Sequence, residues 1–426
     1  MSKINFNAGD YVKFRLTFEE IEGIVLECSD SSIVLIKLDS GYNIAIKKEN
    51  ILDSRVLKRF QIEREERSVE DKKILKNNLP SIGLIICGGT IAAKMNPKKG
   101  GVSWLTNLNE FMEFYPDIFK MVNVKEIAVP FMVASESMKS EHWIEIAKNV
   151  KRMLDDDTIR GVVITHGTDF LGYTAAALSF FLRDLGKPVV LTYSQRSIDR
   201  ASSDANLNLR CAVQMALSDV AEVMIVGHAT INDDFCYAIR GTKARKLHSS
   251  RRDAFKSVNA EPIAKVWSDK IEFLSSFNKR DSKKRNELDA VFCDKIALIK
   301  FYPGQDSSII DFCALKNKGA VIEAAGLGHL PVGETTHNWI PSIKKHIKDG
   351  FIVCITSQTI FGRVDPFVYS NGRELLNAGV IFLEDMLSET AFVKLGWALG
   401  HNGWKTRIKE IMLENFAGEL NKRLIE

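Results

Sequence analysis

The stretch at residues 82–90, IGLIICGGT, decides how the central part of this chain is interpreted. An apolar run that ends in glycine is typical of a buried β-strand. The loop that follows lacks both glycine patterns that bind phosphates, GxxxxGK[ST] and GxGxxG. Two interpretations remain open. The loop is a tight structural turn whose glycines adopt positive φ angles, or it presents the threonine hydroxyl for chemistry.

Further strand-like runs follow this stretch and alternate with segments of helical periodicity. The predicted strands are 82–87, 127–133, 161–165, 188–193 and 222–227 in a first unit, and 296–301, 320–325 and 351–356 in a second. Such alternation predicts α/β domains, in which a parallel sheet is covered by helices on both faces. We therefore predict an α/β domain at 81–277 that carries the active site, an interdomain linker at 278–293, and a smaller C-terminal α/β domain with a tail at 294–426.

The N-terminal part of the chain has a different pattern. Residues 10–57 contain short runs rich in β-branched and aromatic residues, separated by turn-forming clusters. Because no helical pattern lies between these runs, they predict a small closed β-barrel as a domain of residues 1–60. The highly charged segment 61–80 is predicted to be a linker.

The composition is that of a globular protein: 45% of the 426 residues are hydrophobic, 26% are charged, and the net charge is +4. This small positive excess does not require a nucleic-acid partner. The seven cysteines form no CxxC pair and the histidines show no HxH or HxxxH spacing, so we expect neither a metal site nor a disulfide framework. We recognise no signal peptide or membrane-spanning run, and we expect a soluble, cytoplasmic protein.

Basic runs at 243–246, 251–252 and 283–285 leave two interpretations open. In the first, these side chains contact RNA. In the second, they are solvated loop charges and partners in internal ion pairs.

Two polar clusters follow predicted strands, where ligands of an open α/β sheet collect. The first is the GGT sequence that ends in Thr90, and the second is HGTD, which contains Thr168 and Asp169. A threonine hydroxyl is a poor nucleophile unless a base removes its proton, and Asp169 alone is too weak a base. A lysine held neutral by burial would serve, at a cost of about three pKa units, or roughly 4 kcal/mol. The alternative for HGTD is an ordinary helix cap.

The segments IICGGTIA, THGTD and RKLHSSRRDAF resemble the asparaginase–glutaminase family of amidohydrolases, and the resemblance extends over residues 82–401. It implies an asparaginase-like core of two α/β domains, the N-terminal one being the larger. It also implies that Thr90 is the nucleophile, and that Thr168, Asp169 and Lys246 form a second triad that handles protons. The substrate-binding positions that it implies are Gly89, Ser135, Glu136 and Gly167.

Several other segments are similar to one branch of this family, the archaeal glutamyl-tRNA(Gln) amidotransferase D subunits. They include GDYVKF and DSGYNIAI near the N-terminus, and QRSIDRASSDANLNL, IEAAGLGHLP and TSQTIFGRV later in the chain. This likeness implies that the chain hydrolyses glutamine and supplies ammonia to a partner, the amidotransferase E subunit. That partner uses ATP and Mg²⁺ to convert Glu-tRNA(Gln) to Gln-tRNA(Gln), and it provides most of the tRNA(Gln) contacts. The likeness further implies a homodimer within a heterotetramer, and no metal or cofactor on this chain.

One position departs from the family pattern. The family carries a tyrosine in the loop after GGTIA that helps to activate the nucleophile, and this chain has Pro97 at the matching spacing. Loss of a positioned proton-transfer group costs about 10²–10⁴ in rate. Three outcomes remain open: Lys246 takes over more of the proton transfer, another phenol replaces the tyrosine, or glutaminase activity is weak. Two rival functions also remain, a stand-alone L-asparaginase and a catalytically silent scaffold protein.

Overall fold

The computed structural model describes residues 6–28, 30–40, 42–59, 79–95, 102–104, 108–198, 200–335 and 337–423. Most of the linker predicted at 61–80 lies outside these ranges, and so does Pro97.

The N-terminal unit is an antiparallel sheet whose strand order is β4-β3-β2-β1-β5. Its strands are β1 (Tyr11–Arg15), β2 (Glu20–Leu26), β3 (Ile33–Lys37), β4 (Asn43–Lys47) and β5 (Asp53–Lys58). Alternate residues such as Val12, Phe14, Val34 and Ile36 point to one side and form a small core. The sequence patterns predicted β1–β4 but did not single out β5. Among the described residues the ladder ends at β4 and β5 without pairing between them, so closure into a barrel stays a prediction.

The larger α/β unit is built on an eight-stranded sheet of order β18-β17-β14-β13-β12-β10-β6-β9. Its strands and those of its small side sheets are β6 (Ser81–Ile86), β7 (Ala93–Met95), β8 (Val102–Trp104), β9 (Asn123–Ala128), β10 (Ile159–Thr165), β11 (Leu182–Arg183), β12 (Val189–Thr192), β13 (Val223–His228), β14 (Cys236–Arg240), β15 (Ala244–Lys246), β16 (Phe255–Ser257), β17 (Ala264–Val266), β18 (Ile271–Phe273) and β19 (Glu287–Leu288). Its helices are α1 (Leu108–Phe114), α2 (Ile118–Met121), α3 (Ser140–Leu154), α4 (Leu171–Phe181) and α5 (Ala205–Leu217).

Helices cover both faces of this sheet because its central strands are apolar on both sides. Ile85 and Ile164 pack with α3 and α4 on one face, whereas Leu84 and Val163 pack with α1, α2 and α5 on the other. The five neighbouring strands β13, β12, β10, β6 and β9 are parallel, as the alternating pattern predicts. The sheet then continues through β14, β17 and β18 in antiparallel pairing, which the sequence patterns did not predict.

The smaller C-terminal unit is a four-stranded parallel sheet of order β20-β21-β22-β23. Its elements are β20 (Ile296–Lys300), α6 (Ser308–Ala314), β21 (Gly319–Ala324), α7 (Ile340–Lys348), β22 (Ile352–Ser357), α8 (Ser370–Asn377), β23 (Ile381–Phe382), α9 (Ser388–Gly400) and α10 (Ile408–Leu413). Helix α9 packs against α4 of the larger unit, where the rings of Phe180 and Trp397 stack at 5.3 Å. The two α/β units therefore share one apolar core.

One local prediction needs correction. The strand predicted at 127–133 is β9, which runs from Asn123 to Ala128 and gives way to a loop. Pro130 lies in that loop, where its missing N–H group cannot contribute to a sheet ladder. The predicted interdomain linker at 278–293 contacts the larger unit, because the Arg280 guanidinium donates to the carbonyl oxygens of Arg160 and Ser218, and its role as a linker stays a prediction. No helix in the described part of the chain is long and apolar enough to cross a membrane.

Candidate active site

The loop after β6 is shaped by two consecutive glycines. Gly88 and Gly89 have φ angles of +108° and +82°, which residues other than glycine rarely adopt. A Cβ atom on Gly89 would lie 2.4 Å from the carbonyl oxygen of His166 and 2.5 Å from the nitrogen of Gly167. The GGT loop therefore rests directly on the backbone of the HGTD loop, with no room for a side chain between them.

Parallel pairing of β6 with β10 brings these two loops to the same edge of the sheet. Ile86 pairs with Thr165, and the Cys87 N–H donates to the Thr165 carbonyl at 3.1 Å. Thr90 and Thr168 each follow directly the glycine that makes the close contact. Thr90 opens a short 3₁₀ helix, Thr90–Ala92, in which the Ala92 N–H donates to the Gly89 carbonyl at 2.9 Å.

Ser135 lies on the other side of the HGTD loop. A Cβ atom on Gly167 would lie 3.0 Å from Ser135 Oγ, so this glycine also permits a close approach. Ser135 is buried at the start of a 3₁₀ helix, Ser135–Ser137, and its hydroxyl accepts the Phe170 N–H at 3.4 Å. Its neighbour Glu136 is exposed. The structure thus brings Gly89, Gly167 and Ser135 together in one row.

Lys246 reaches the same edge from β15, a separate short strand. Its amine, Nζ, donates to Thr168 Oγ1 and to Asp169 Oδ1, both at 2.8 Å. The Lys246 side chain is only 13% exposed, whereas that of Asp169 is 61% exposed. A shielded amine is therefore hydrogen-bonded to a hydroxyl and to a carboxylate that opens to solvent. Such a chain of groups can pass a proton to and from an atom placed beside it.

His166 has a structural place in this site. It is fully buried, and burial lowers its pKa to about 4. Its Nδ1 lies 2.7 Å from the Gly167 carbonyl oxygen and its Nε2 lies 2.9 Å from Thr174 Oγ1. A neutral ring with Nδ1–H donating to Gly167 and Nε2 accepting from Thr174 satisfies both contacts, so the ring braces the HGTD loop.

Tyr115 is a contributor that the sequence patterns did not single out. Its hydroxyl donates to the Ile91 carbonyl oxygen at 2.6 Å, directly beneath the Thr90–Ala92 turn. The side chain is buried, and burial raises the pKa of the phenol above its usual range. Nothing in the sequence around Tyr115 indicates this contact, because the phenol and the turn come from different parts of the chain.

The basic runs near Lys246 are largely engaged in ion pairs. The pairs are Lys243 with Asp385 at 2.6 Å, Arg245 with Glu389 at 3.2 Å, Arg251 with Asp253 at 2.7 Å, and Arg252 with Asp233 at 2.7 Å. Lys243 is completely buried and is out of reach of RNA. These contacts favour the interpretation of internal ion pairs for 243–246 and 251–252.

A cavity of about 560 Å³ adjoins the site between the two α/β units. Ser135, Glu136 and Phe170 line it from the larger unit, and Phe292 and Phe392 line it from the other side. In the described part of the chain, no group of three or more His, Cys, Asp or Glu side chains is arranged to hold a metal ion.

Family models match the chain in three successive segments. Residues 6–57 match the GatD N-terminal domain. Residues 81–279 match the N-terminal asparaginase domain, and residues 295–412 match the glutaminase/asparaginase C-terminal domain.

Several curated proteins are similar over nearly the whole length. The glutamyl-tRNA(Gln) amidotransferase D subunit of Pyrococcus abyssi is 47% identical, with 98% of this chain and 95% of that protein covered. The protein of the same name from Sulfolobus acidocaldarius is 40% identical, with 99% and 93% covered.

Solved structures of asparaginases resemble the α/β part of the chain. The thermostable L-asparaginase from Thermococcus kodakarensis is 30% identical with a TM-score of 0.73, and the match covers 80% of this chain and 100% of that one. L-asparaginase I from Vibrio cholerae is 26% identical with a TM-score of 0.68, covering 80% and 99%.

Proposed function

Because the chain belongs to the family of glutamyl-tRNA(Gln) amidotransferase D subunits and carries both asparaginase domains, we propose that it is the glutaminase component of a tRNA-dependent amidotransferase. It hydrolyses glutamine and releases ammonia to its partner, the amidotransferase E subunit, in the cytoplasm. The partner uses ATP and Mg²⁺ to convert Glu-tRNA(Gln) to Gln-tRNA(Gln) and makes most of the tRNA(Gln) contacts. We propose a homodimer of this chain within a heterotetramer, with no cofactor or metal on this chain.

A single observation carries the proposal: the Lys246 amine lies 2.8 Å from both Thr168 Oγ1 and Asp169 Oδ1, beside the loop that presents Thr90. These residues come from three separate segments, and each is of the type that amide hydrolysis by a threonine requires. An activated hydroxyl needs a base within reach and a group that orients the base. Lys246 supplies the base, and Thr168 and Asp169 orient it.

In the first half of the reaction, Thr90 Oγ attacks the side-chain amide carbon of glutamine. The hydroxyl proton passes to Lys246 and its hydrogen-bonded neighbours as the tetrahedral intermediate forms. When the C–N bond breaks, the leaving nitrogen takes that proton and departs as ammonia. An ester between Thr90 and the glutamyl group remains.

In the second half, water attacks this ester. The same proton-handling group takes a proton from the water and returns one to Thr90 Oγ as the ester bond breaks. The net change is glutamine and water to glutamate and ammonia. The negative oxygen in both tetrahedral intermediates needs preorganised donors, and we assign that task to backbone N–H groups at Thr90 and near Thr168.

Gly89, Ser135, Glu136 and Gly167 form the substrate-binding surface in this proposal. The buried Ser135 hydroxyl donates to the α-carboxylate of glutamine, and the exposed Glu136 carboxylate pairs with its α-ammonium group. The two glycines let the backbone approach the substrate without side chains in between.

For the missing loop tyrosine, we propose that Lys246 takes over the proton transfer. The Tyr115 hydroxyl, which lies beneath the Thr90–Ala92 turn, already donates a hydrogen bond to the Ile91 carbonyl. Burial also raises the pKa of this phenol, which makes it a poor acid–base group near neutral pH.

A stand-alone L-asparaginase is the second candidate, and the likeness to the L-asparaginase of Thermococcus kodakarensis favours it. That likeness covers 80% of the chain, and the N-terminal match to the GatD domain supports the amidotransferase function instead. The convergence of Thr168, Asp169 and Lys246, which belong to separate segments that resemble the amidohydrolase family, supports an active site over a silent scaffold.

Ammonia release from glutamine, measured while the partner, ATP and Glu-tRNA(Gln) are added stepwise, tests the proposal. We expect the complete mixture to give the highest rate and to prefer glutamine over asparagine. Rapid asparagine hydrolysis by the chain alone, unchanged by the partner, would establish the asparaginase. Absence of ammonia release from either amide in the complete mixture would establish the scaffold.

A further inference from the structure

The strand that carries Lys246 is anchored to the smaller α/β unit by two basic residues. Lys243 Nζ lies 2.6 Å from Asp385 Oδ2, and Arg245 Nε lies 3.2 Å from Glu389 Oε1. We propose that Asp385 and Glu389 are positioning residues, which hold β15 so that Lys246 meets its hydrogen-bond partners. The inference rests on the proposed catalytic role of Lys246.

The Lys243–Asp385 pair is buried at both ends. The exposed fraction is 0% for the Lys243 side chain and 2% for that of Asp385. Removal of one member of such a pair leaves an uncompensated charge in the interior, which is unfavourable enough to displace the chain around it. Burial already lowers the pKa of Lys243, and Asp385 opposes that shift by favouring the charged amine. Loss of the Asp385 carboxylate therefore removes the interaction that stabilises the Lys243 amine at this buried position.

Asp385 is itself held from several sides, so it is a fixed anchor. Its Oδ1 accepts the Asn421 N–H at 2.9 Å, and its Oδ2 accepts the Asn421 side-chain amide at 2.7 Å. Its carbonyl oxygen accepts from Asn259 Nδ2 at 3.0 Å. Because both carboxylate oxygens accept hydrogen bonds, the orientation of the Asp385 carboxylate is fixed. The position of the Lys243 amine is therefore set by this carboxylate.

The local sheet restrains β15 only over a short ladder, and hydrogen bonds from the Thr390 hydroxyl to the Thr242 carbonyl and from the Thr242 hydroxyl to the Ala417 carbonyl add to the anchor before the strand. The strand has three residues and pairs with β16 alone among the described strands, with Lys246 opposite Phe255 and Ala244 opposite Ser257. A shift of one residue would exchange the two faces of the strand and turn Lys246 away from the HGTD loop. Ion pairs from Lys243 and Arg245 to the smaller unit oppose that shift.

The second pair is more accessible, with 23% of the Arg245 side chain and 20% of the Glu389 side chain exposed. Solvent weakens such a pair, so Glu389 contributes less to the anchor than Asp385 does. Burial raises the pKa of Glu389, and the nearby Arg245 lowers it. Glu389 stands at the start of α9, so this contact ties β15 to the helix that packs on α4.

The chain offers a matched control for these charges. Lys394 and Glu419 form an ion pair of 2.6 Å in which both side chains are 0% exposed. Glu419 also accepts the backbone N–H groups of Phe416 and Ala417, so it is as firmly held as Asp385. This pair joins α9 to the C-terminal segment and not to β15. Glu419 also favours the charged form of Lys243, though less than Asp385 does, and Ala417 accepts a hydrogen bond from Thr242 Oγ1. Disruption of the Lys394–Glu419 pair is therefore a strict control, which perturbs the segment before β15 but leaves the Lys243–Asp385 contact in place.

The test compares Asp385→Asn with Glu419→Gln in the full complex with the partner, ATP and Glu-tRNA(Gln). Both changes replace a carboxylate by its amide, so we expect both to lower the unfolding midpoint. We expect only Asp385→Asn to lower kcat for glutamine hydrolysis, by roughly 10²-fold with KM within about twofold, because a displacement near 1 Å in a catalytic group has such an effect. Glu389 is more exposed than Asp385, so we expect Glu389→Gln to lower kcat by a smaller factor. This variant provides the test if Asp385→Asn does not fold.

A double-mutant cycle distinguishes positioning from general destabilisation. If Asp385 acts through Lys243, then Lys243→Met, Asp385→Asn and the double variant lose kcat by similar factors, so the effects are not additive. Wild-type kcat in folded Asp385→Asn or in Glu389→Gln, or an equal loss of kcat in Glu419→Gln, would overturn the inference. Absence of glutaminase activity in the wild-type complex would instead refute the proposed function.

Discussion

Gly89 and Gly167 lie against each other with no space for a side chain: a Cβ atom on Gly89 would sit 2.5 Å from the nitrogen of Gly167. Each glycine directly precedes a threonine of the candidate site. The contact therefore fixes how far apart Thr90 and Thr168 are held, and it turns two distant loops into one surface.

Gly89→Ala is expected to separate these loops. The new Cβ would meet backbone atoms at 2.4–2.5 Å, and the backbone angles of φ +82° and ψ 165° are unfavourable for alanine by roughly 1–3 kcal/mol. Gly304→Ala is the matched control, because Gly304 has a φ angle of +83° and open space around the Cβ position. Both variants should lose stability in chemical denaturation through the unfavourable backbone angle. Only Gly89→Ala should lose glutaminase activity, by about 10-fold or more, because it displaces a catalytic group. Equal activity in both variants would contradict the contact.

Thr90→Ala is expected to remove glutamine-dependent formation of Gln-tRNA(Gln) by the complex. Ammonia-dependent formation should remain, because the partner's reaction does not use the hydroxyl. Thr90 is partly exposed and its substitution creates no large cavity, so the unfolding free energy should change by less than about 1 kcal/mol. Thr90→Ser is the control, which keeps a hydroxyl and should keep measurable activity. Persistent glutamine use by Thr90→Ala would place the nucleophile elsewhere.

The fold could be predicted where the pattern of apolar residues along the sequence is enough to identify a strand or helix. Strands such as β10 are buried on both faces and form nearly continuous apolar runs, so the parallel centre of the large sheet was predictable. The antiparallel extension through β14, β17 and β18 was not, because β17 and β18 are three residues long and carry no clear period. The displacement of β9 to Asn123–Ala128 likewise depends on its pairing with β6, which the local sequence does not encode.

Lys246→Met should lower kcat for glutamine by about 10²–10⁴, the usual effect of losing a positioned acid–base group. Methionine keeps the length and apolar packing of the side chain, which is only 13% exposed, so the protein should remain folded. Lys256→Met is the control from the neighbouring strand, where Lys256 pairs with Asp253 at 2.8 Å. We expect kcat of that variant to stay close to that of the wild type. If steady-state kinetics show similar values for both variants, Lys246 is not the base.

The candidate site could be predicted only to the extent that its residues lie in recognisable motifs. Thr90, Thr168, Asp169 and Lys246 belong to segments that resemble a family, and the structure brings the last three together. The Lys243–Asp385 pair could not be predicted from the sequence, since its members are 142 positions apart and neither lies in a recognisable local pattern. The basic run at 243–246 left open either RNA contacts or solvated charges with internal ion pairs, and tertiary packing buries its first residue in an ion pair.

His166 should make the protein less stable in mild acid. Its pKa is about 4 in the folded state, against about 6.5 for an exposed histidine, so the unfolded chain binds a proton first as the pH falls. The contribution is fully present above pH 6.5 and is lost progressively as the pH falls from 6.5 towards 4. At about pH 5 this loss amounts to about 2 kcal/mol. Denaturant unfolding near pH 7 and near pH 5 should show a smaller drop for His166→Gln than for wild type by about this amount. Equal drops would mean that the ring is not held neutral by burial.

Tyr115→Phe should loosen the turn that presents Thr90 while leaving the chemistry in place. The substitution removes the donor to the Ile91 carbonyl, and a buried carbonyl without its partner destabilises a protein by about 1–3 kcal/mol. Tyr193→Phe is the control for loss of a buried phenol hydrogen bond, because that hydroxyl donates to the Arg252 carbonyl in the hairpin of β15 and β16 and not to the turn. Both variants should unfold at lower denaturant concentration. If Tyr115 only supports the turn, kcat in Tyr115→Phe falls by a small factor and the pH dependence of kcat/KM keeps its wild-type shape. A loss of about 10²–10⁴ with an altered pH profile, absent from Tyr193→Phe, would instead identify Tyr115 as the phenol that replaces the missing loop tyrosine.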